Sequence, residues 1–162
     1  MRPAAPDDAP AILALRTAAE HWLAGRGIEQ WHPGEVTLAD ITRQARAGEW
    51  HLVRADGVAR AALRLLWSDP MWTGIGTPRP AVYVHGLVID RAYAGHRLGA
   101  RLLDWAGDQG RRAGADVLRL DCVEANPGLR SYYARLGFRQ VGRHDFDGPW
   151  HSTVLLERDI DI

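Results

Sequence analysis

The sequence is poor in the features that crosslink a chain, span a membrane or attract polyanions. Cysteine occurs once, at Cys122, which excludes an internal disulfide and makes a cytoplasmic location the expectation. No apolar run approaches the ~20 residues that cross a bilayer, and the first ten residues lack the charged-then-apolar pattern of a secretory leader. Twenty basic residues balance twenty acidic ones, so net charge favours neither a nucleic acid nor an anionic membrane as partner.

Other residue types are also scarce. Every basic residue is an arginine and lysine is absent, which we interpret as GC-rich codon usage. Asparagine occurs only at Asn126, which suggests that this position requires its side chain. The seven histidines are scattered without ligand spacing, so no metal site is expected.

The remaining composition is typical of one globular domain over residues 1–162. Hydrophobic residues make up 46% and charged residues 25%, an ordinary balance that excludes disorder over most of the chain. No internal repeat or linker divides the sequence, so we expect a single core.

Local patterns predict four helices. Asp7 or Asp8 is expected to cap a first helix that ends near Gly25, and Thr37 opens a second with capping-box spacing. A third helix follows a glycine turn after residue 93. The pair Asn126-Pro127 is typical of an N-cap followed by proline at the first helical position of the fourth.

Strand patterns alternate with these helices and predict a mixed sheet. Strands are expected over 50–54, 58–67, 81–89, 117–123, 138–142 and 152–158. Asp56-Gly57 predicts a hairpin, hence antiparallel pairing, whereas the strand–helix–strand unit of 81–123 predicts parallel pairing. In the strand 117–123 the alternation favours exposed Arg119 and Asp121 and a buried, inert Cys122. With a further strand before the first helix, to which no bounds are assigned, the order β-α-α-β-β-β-α-β-α-β-β indicates an α/β fold with one mixed sheet.

The segment with chemical information begins after the strand 81–89. The turn Ala94-Gly95-His96-Arg97-Leu98-Gly99-Ala100 feeds a helix N-terminus, where free backbone N–H groups and the helix dipole suit a pyrophosphate. His96, Arg97 and Arg101 add positive charge. Taken alone this signal is weak, because many helices begin after a glycine turn.

A second motif makes the first more specific. Asn126 precedes Tyr133 by seven residues, and Leu136-Gly137-Phe138 follows. With these residues the chain resembles the GNAT superfamily of acetyl-CoA-dependent N-acetyltransferases, whose cofactor motif is R/Q-x-x-G-x-G/A and whose later motif places an Asn seven residues before the Tyr of Y-x-x-L-G-F. The resemblance covers essentially the whole chain and is strongest over residues 81–142.

The resemblance implies a fold and a cofactor site. The family has a central mixed seven-stranded sheet with about four helices, and acetyl-CoA lies where its fourth and fifth strands splay apart. Backbone groups of the fourth strand would bind the pantetheine arm, the turn amides the pyrophosphate, and Asn126 the cofactor arm. Tyr133 would stand near the thioester sulfur and give a proton to the departing thiolate. The implied cofactor-binding residues are Leu87, Val88, Ile89, Ala94, Gly95, His96, Arg97, Leu98, Gly99, Ala100, Asn126 and Tyr133.

Two positions depart from the family pattern. Ala94 stands at the Arg or Gln position and Arg97 at the first glycine. Replacing glycine raises the cost of a positive φ. We therefore expect a helical φ at Arg97, which would leave its amide available to the pyrophosphate.

The remaining candidates concern the acceptor. His85 lies on the strand that would line the thioester, and imidazole suits a base that takes a proton from an ammonium at neutral pH. A water relay, or a residue of the loop 27–35, is the alternative base. The resemblance places the acceptor pocket near the first two helices and the loops beside the third, fourth and last strands. Its candidate residues are Trp31, His32, Trp72 and Trp150, with Glu29 or Glu35 beside the aromatic wall.

These observations predict an N-acetyltransferase that moves the acetyl group of acetyl-CoA to the primary amine of a small molecule by direct attack. A non-catalytic acyl-CoA-binding module and a protein or peptide N-acetyltransferase are the alternatives. The acceptor is not specified by the sequence, and a homodimer is left open.

Overall fold

The computed structural model describes residues 1–147 and 151–160. Its α-helices are α1 (Ala9–Ala24), α2 (Leu38–Arg46), α3 (Leu98–Arg112) and α4 (Pro127–Arg135). Its strands are β1 (Arg2–Pro3), β2 (Trp50–Ala55), β3 (Val58–Leu66), β4 (Ala81–Ile89), β5 (Val117–Val123), β6 (Arg139–His144) and β7 (Thr153–Asp159). Within the described residues these seven strands and four helices follow the expected order, so the α/β prediction is confirmed.

The strands form one mixed sheet in the order β1-β2-β3-β4-β5-β7-β6. β4 and β5 are parallel, whereas β1–β2, β2–β3, β5–β7 and β6–β7 are antiparallel. The β4–β5 register covers only residues 81–84 and 117–120, although β4 continues to Ile89. Pairing that stops partway along β4 agrees with the expectation of splayed fourth and fifth strands. β6 extends to His144, beyond the predicted end at 142, because its pairing with β7 continues to Thr153.

Short-range signals locate several of these elements. The Thr37 hydroxyl accepts from the Asp40 amide at 3.1 Å, and the Asp40 carboxylate accepts from the Thr37 amide at 3.2 Å, so the capping box is present. Asp56 and Gly57 have φ of 52° and 75°, the left-handed pair of a tight hairpin turn.

The start of α1 differs from the prediction. The Asp8 carboxylate makes no capping bond to this helix and accepts instead from the Ala5 amide, from Arg2 and from Arg54. These contacts hold the pKa of Asp8 well below its usual range, with the Arg2 hydrogen bond as the largest cause. Asp8 therefore joins the N-terminal segment to β2.

Two compact units are distinguished. The first comprises Met1–Leu65 and His85–Gly99, and the second Leu66–Val84 and Ala100–Ile162. The core of the first unit is formed by residues of α1, α2, β2, β3 and β4, among them Ile12, Ile41, Trp50, Leu52 and Val88. The second unit buries side chains of β4, α3, β5 and β7 completely, among them Val82, Leu103, Val117, Leu118 and Leu155.

The second unit also buries a charge, which corrects the prediction that Arg119 is exposed. Its side chain is 5% accessible, and Nε donates to Glu157 Oε2 at 2.9 Å. Further hydrogen bonds run to the Thr77 carbonyl at 2.9 Å and the Tyr83 hydroxyl at 3.2 Å. The alternation rule failed because both faces of β5 are covered. Glu157 lies directly opposite Arg119 on β7 and supplies the counter-charge that a buried guanidinium needs.

Candidate active site

The outer half of β4 is the first part of the candidate site. Val88 is buried, and Leu87 and Ile89 are half-buried on either side of it. Gly86 interrupts the strand with φ of +59°, and an added Cβ there would lie 2.9 Å from the ring of Trp50. The Trp50 indole is held by a 2.9 Å hydrogen bond from Nε1 to Gln44 Oε1. Trp50 thus packs directly against the backbone at Gly86, where only glycine fits.

The chain between β4 and α3 is fixed before it reaches the turn. The Asp90 amide donates to the Arg60 carbonyl at 2.7 Å, and the Asp90 carboxylate accepts from the Ala92 amide and the Arg60 guanidinium. The pKa of the Asp90 carboxylate is held below its usual range, first by the hydrogen bond from the Ala92 amide and then by the one from the Arg60 guanidinium. Arg60 also lies over the Tyr93 ring at 4.7 Å. These contacts fix the position of the segment that leads into the turn before α3.

The backbone of the turn itself is accessible to an anion. Gly95 has φ of +85° with nothing within 4 Å of an added Cβ, and His96 and Arg97 are exposed. α3 begins at Leu98, so the N–H groups of its first turn lack intrahelical acceptors and lie at the positive end of the helix dipole. This arrangement fits the pyrophosphate of acetyl-CoA.

Arg97 corrects one prediction. Its φ is +55°, a left-handed conformation and not the helical one expected. The turn has kept the backbone conformation that suits glycine although the glycine is absent. A non-glycine residue in this region costs about 1–2 kcal/mol, because Cβ crowds the neighbouring carbonyl.

Asn126 begins α4 in the second unit. Its side-chain oxygen accepts from the Leu129 amide at 3.0 Å, so the predicted N-cap is confirmed. The cap uses the oxygen of the side chain and orients the amide group at the helix N-terminus. Contact between Asn126 and the cofactor stays a prediction.

Tyr133 is buried on the last turn of α4. Its ring makes edge contacts with Tyr132 and Phe138, at centroid distances of 5.5 and 5.6 Å. Burial is the main cause that raises the pKa of Tyr133 well above its ordinary value, and nearby Cys122 adds to the shift. The hydroxyl therefore stays protonated at any working pH and is a donor. Burial likewise raises the pKa of the Cys122 thiol to about 12, as expected for an inert cysteine.

His85 is half-buried on β4, directly after the residues that pair with β5. The His85 side chain interacts with neighbouring groups. Its role as a base stays a prediction.

Two of the predicted acceptor residues lie in the loop after α1. Trp31 is half-buried, with the Arg16 guanidinium 3.7 Å from its ring centroid. The backbone amide of His32 donates to Glu35 Oε2 at 2.9 Å. The Trp31 ring therefore stacks against the chain's own arginine, and contact of Trp31 or His32 with an acceptor stays a prediction.

The other two acceptor candidates are placed differently. Trp72 is 4% exposed and packs edge-on against Tyr83 at 5.8 Å, with Arg119 at 4.9 Å from its ring. Its indole belongs to the core of the second unit, and contact between Trp72 and an acceptor stays a prediction. Trp150 lies outside the described residues.

Sequence reasoning missed Arg16 and Glu20. Both are buried on α1, and Arg16 Nε donates to Glu20 Oε1 at 2.7 Å. Arg16 Nη2 also lies 3.4 Å from Glu35 Oε1. The available signal was an arginine and a glutamate four positions apart, within the apolar stripe of α1.

In residues 1–147 and 151–160, no group of three or more His, Cys, Asp or Glu side chains is arranged to hold a metal ion. Among the same residues, no helix combines the length and apolar character needed to cross a membrane.

Comparisons with known proteins identify the family. The model of the acetyltransferase (GNAT) family matches residues 15–138. The uncharacterized N-acetyltransferase YesJ of Bacillus subtilis is 32% identical over 148 residues, covering 86% of this chain and 81% of that protein. A GNAT-family acetyltransferase structure from Listeria monocytogenes is 26% identical and superposes with a TM-score of 0.78, covering 98% of this chain and 92% of that one. The chain belongs to the GNAT acetyltransferase family.

A further structure relates the fold to the cofactor. The putative acetyltransferase yncA from Salmonella typhimurium, solved with acetyl-CoA, has a TM-score of 0.69 at 18% identity and covers 99% of this chain and 93% of that one. GNAT acetyltransferases use acetyl-CoA as acetyl donor. This chain is accordingly an acetyl-CoA-dependent N-acetyltransferase.

Proposed function

We propose that the whole chain acts as one domain that acetylates the primary amine of a small molecule. The observation that carries the choice of acceptor is the loop after α1. Arg16 of α1, itself 7% exposed, packs on Trp31 and lies within ion-pair distance of Glu35. These contacts hold the loop against α1, which favours a compact acceptor over an extended peptide.

Within this proposal the end of β4, the turn before α3 and the cap of α4 bind the donor. Backbone groups of residues 87–89 contact the pantetheine arm, and backbone amides of the turn Ala94–Ala100 contact the pyrophosphate. Asn126 contacts the cofactor arm while capping α4. Support comes from the exposed turn, the helix N-terminus behind it and the confirmed cap.

Acetyl-CoA supplies the acetyl group as a thioester, and three groups of this chain serve its transfer. His85, directly or through water, accepts a proton from the acceptor ammonium so that the neutral amine can attack. A backbone N–H of β4 donates to the thioester oxygen as negative charge develops there. Tyr133 donates a hydrogen bond to the departing sulfur, and most of the rate enhancement comes from holding both reactants together.

The environment of Tyr133 refines its role. A thiol titrates near ~8.5 and an ordinary tyrosine near ~10, so burial, which raises the pKa of Tyr133 further, makes full proton transfer to the thiolate more uphill. Hydrogen bonding to the thiolate is then the main contribution of Tyr133. The proton that finally neutralises the sulfur comes from solvent or from the nitrogen of the attacking amine, which becomes positively charged once it has bonded to the acetyl carbon.

The proposal is tested with purified protein, acetyl-CoA and two panels of acceptors. One panel contains small primary amines, and the other contains peptides with free N-termini and lysines. We expect thiol release and acetylated product with the amines. Acetylation of peptides alone would make this chain a protein N-acetyltransferase, and binding of acetyl-CoA without transfer to either panel would make it a binding module.

The Tyr133→Phe variant tests the role of the hydroxyl alone. It keeps the ring contacts and removes only the hydroxyl, so acetyl-CoA should still bind while turnover falls. Thermal shift with CoA, measured alongside, separates loss of turnover from loss of binding.

A further inference from the structure

Arg158 on β7 connects two helices of the second unit. Its side chain is 20% exposed, and Nη1 donates to the Leu136 carbonyl at 3.2 Å. Nη2 donates to the Leu103 carbonyl of α3 at 3.3 Å. Asp104 of α3 lies 3.2 Å from Nη1 and supplies a counter-charge. One guanidinium therefore joins α3 to the residue that ends α4.

The contact at Leu136 has a specific effect on α4. The last four carbonyls of a helix have no intrahelical donor and lie at the negative end of the dipole. Leu136 caps the C-terminus of α4, and Arg158 supplies both a donor and a positive charge there. The end of α4 is thereby fixed to the central sheet through β7.

A second route leads from Arg158 to the same helix. The guanidinium lies 5.0 Å from the centroid of the Phe138 ring. Phe138 packs edge-on against Tyr133 at 5.6 Å, and its amide donates to the Tyr133 carbonyl at 3.1 Å. Arg158 thus constrains Tyr133 through the helix backbone and through an aromatic neighbour.

We propose that Arg158 is a positioning residue for Tyr133. By fixing the C-terminal end of α4 and the Phe138 ring, it keeps the Tyr133 hydroxyl in the orientation from which it donates to the departing thiolate. This inference rests on the proposed role of Tyr133. Arg158 touches no reacting atom, so its effect appears only through Tyr133.

A double-mutant cycle tests this coupling. Arg158→Met removes the charge and the donors but keeps much of the side-chain length. It should lower kcat about tenfold, within the loss that a small misplacement of a reacting group causes, with KM for acetyl-CoA within about two-fold. In the Tyr133→Phe background, Arg158→Met should change kcat by less than about two-fold. Arg158→Lys, which keeps one donor and the charge, should restore part of the activity.

The control is Arg139→Met. Arg139 lies on the edge strand β6 of the same unit, is ion-paired with Glu157 and Asp159 of β7, and has no part in the proposed site. It should leave kcat unchanged. All variants are assayed well below their melting temperatures, so that loss of folded protein does not enter kcat.

Two results would overturn the proposal. One is an unchanged kcat in Arg158→Met despite a lower melting temperature, which would leave Arg158 purely structural. The other is an equal loss of kcat with and without the Tyr133 hydroxyl, which would mean that Arg158 acts independently of Tyr133.

The same variants are also assayed for slow hydrolysis of acetyl-CoA, in which water replaces the amine. This reaction releases the same thiolate and needs no correct acceptor. If wild type acetylates no amine but hydrolyses acetyl-CoA, the proposed acceptor class fails. The coupling between Arg158 and Tyr133 is then measured from the hydrolysis rates of the same variants. If Tyr133→Phe is as active as wild type in both reactions, the role of Tyr133 fails, and that of Arg158 with it.

Discussion

Arg97→Gly is expected to stabilise the protein, although it removes a charged side chain from the proposed cofactor turn. Arg97 is exposed and has φ of +55°, a conformation that costs a non-glycine residue about 1–2 kcal/mol. Glycine loses about 0.5–1 kcal/mol more than other residues in backbone freedom on folding. The net gain is then between about 0 and about 1.5 kcal/mol, centred near ~0.75 kcal/mol. For a domain of this size the central value corresponds to a rise in Tm of about 1.5–3 °C.

Arg97→Ala is the matched control for this measurement. Both variants lack the guanidinium, but alanine keeps the Cβ that makes a positive φ costly. Differential scanning calorimetry of the ligand-free proteins should rank Gly above wild type and Ala at or below it. Equal Tm values for the two variants would refute the strain at Arg97. Calorimetric titration with CoA should show similar affinity for both variants if the amide makes the contact, and an equal weakening in both if the side chain does.

Four further predictions concern the reaction and the single thiol. Tyr133→Phe should lower kcat about 10- to 100-fold, as loss of a positioned donor does, with KM for acetyl-CoA little changed; turnover within two-fold of wild type would make Tyr133 structural. Because burial raises the pKa of Tyr133, its ionisation should cause no loss of activity up to about pH 10, and an alkaline limb that disappears in Tyr133→Phe would contradict this. His85→Ala should lower the rate most at neutral pH, where the acceptor amine is mostly protonated, and recover at high pH, where the amine is already neutral; an unaltered dependence of rate on pH in a folded variant would remove His85 from the mechanism. Burial raises the pKa of Cys122 to about 12, so Ellman's reagent at pH 8 should label it only after denaturation, and rapid labelling of the native protein would contradict its buried state.

Several features of the fold follow from interactions between near neighbours, and these were predictable. The capping box of Thr37 and Asp40 and the Asn126 cap each join residues three positions apart. The left-handed pair Asp56-Gly57 needs only its own backbone preferences. Helix starts and tight turns of this kind form from local chemistry. Together with strand periodicity, they were enough to order the elements.

The family was also predictable, because its motif depends on spacing along the chain. Asn126 and Tyr133 lie at the two ends of one short helix, and the glycine turn directly precedes another. Sequence separation therefore preserves the pattern, and the family match over residues 15–138 agrees with it.

What the sequence alone determined is thus the set of elements, their order and the family to which the chain belongs. Only the tertiary structure decided the surroundings of individual side chains. Arg119 is buried because Glu157, 38 positions away, lies opposite it on β7, and Arg158 reaches a helix end 22 positions away. Arg97 takes a left-handed φ where the turn enters α3, against the preference of a non-glycine residue. A residue's own preference predicts its conformation only while its neighbours in space are also its neighbours in sequence.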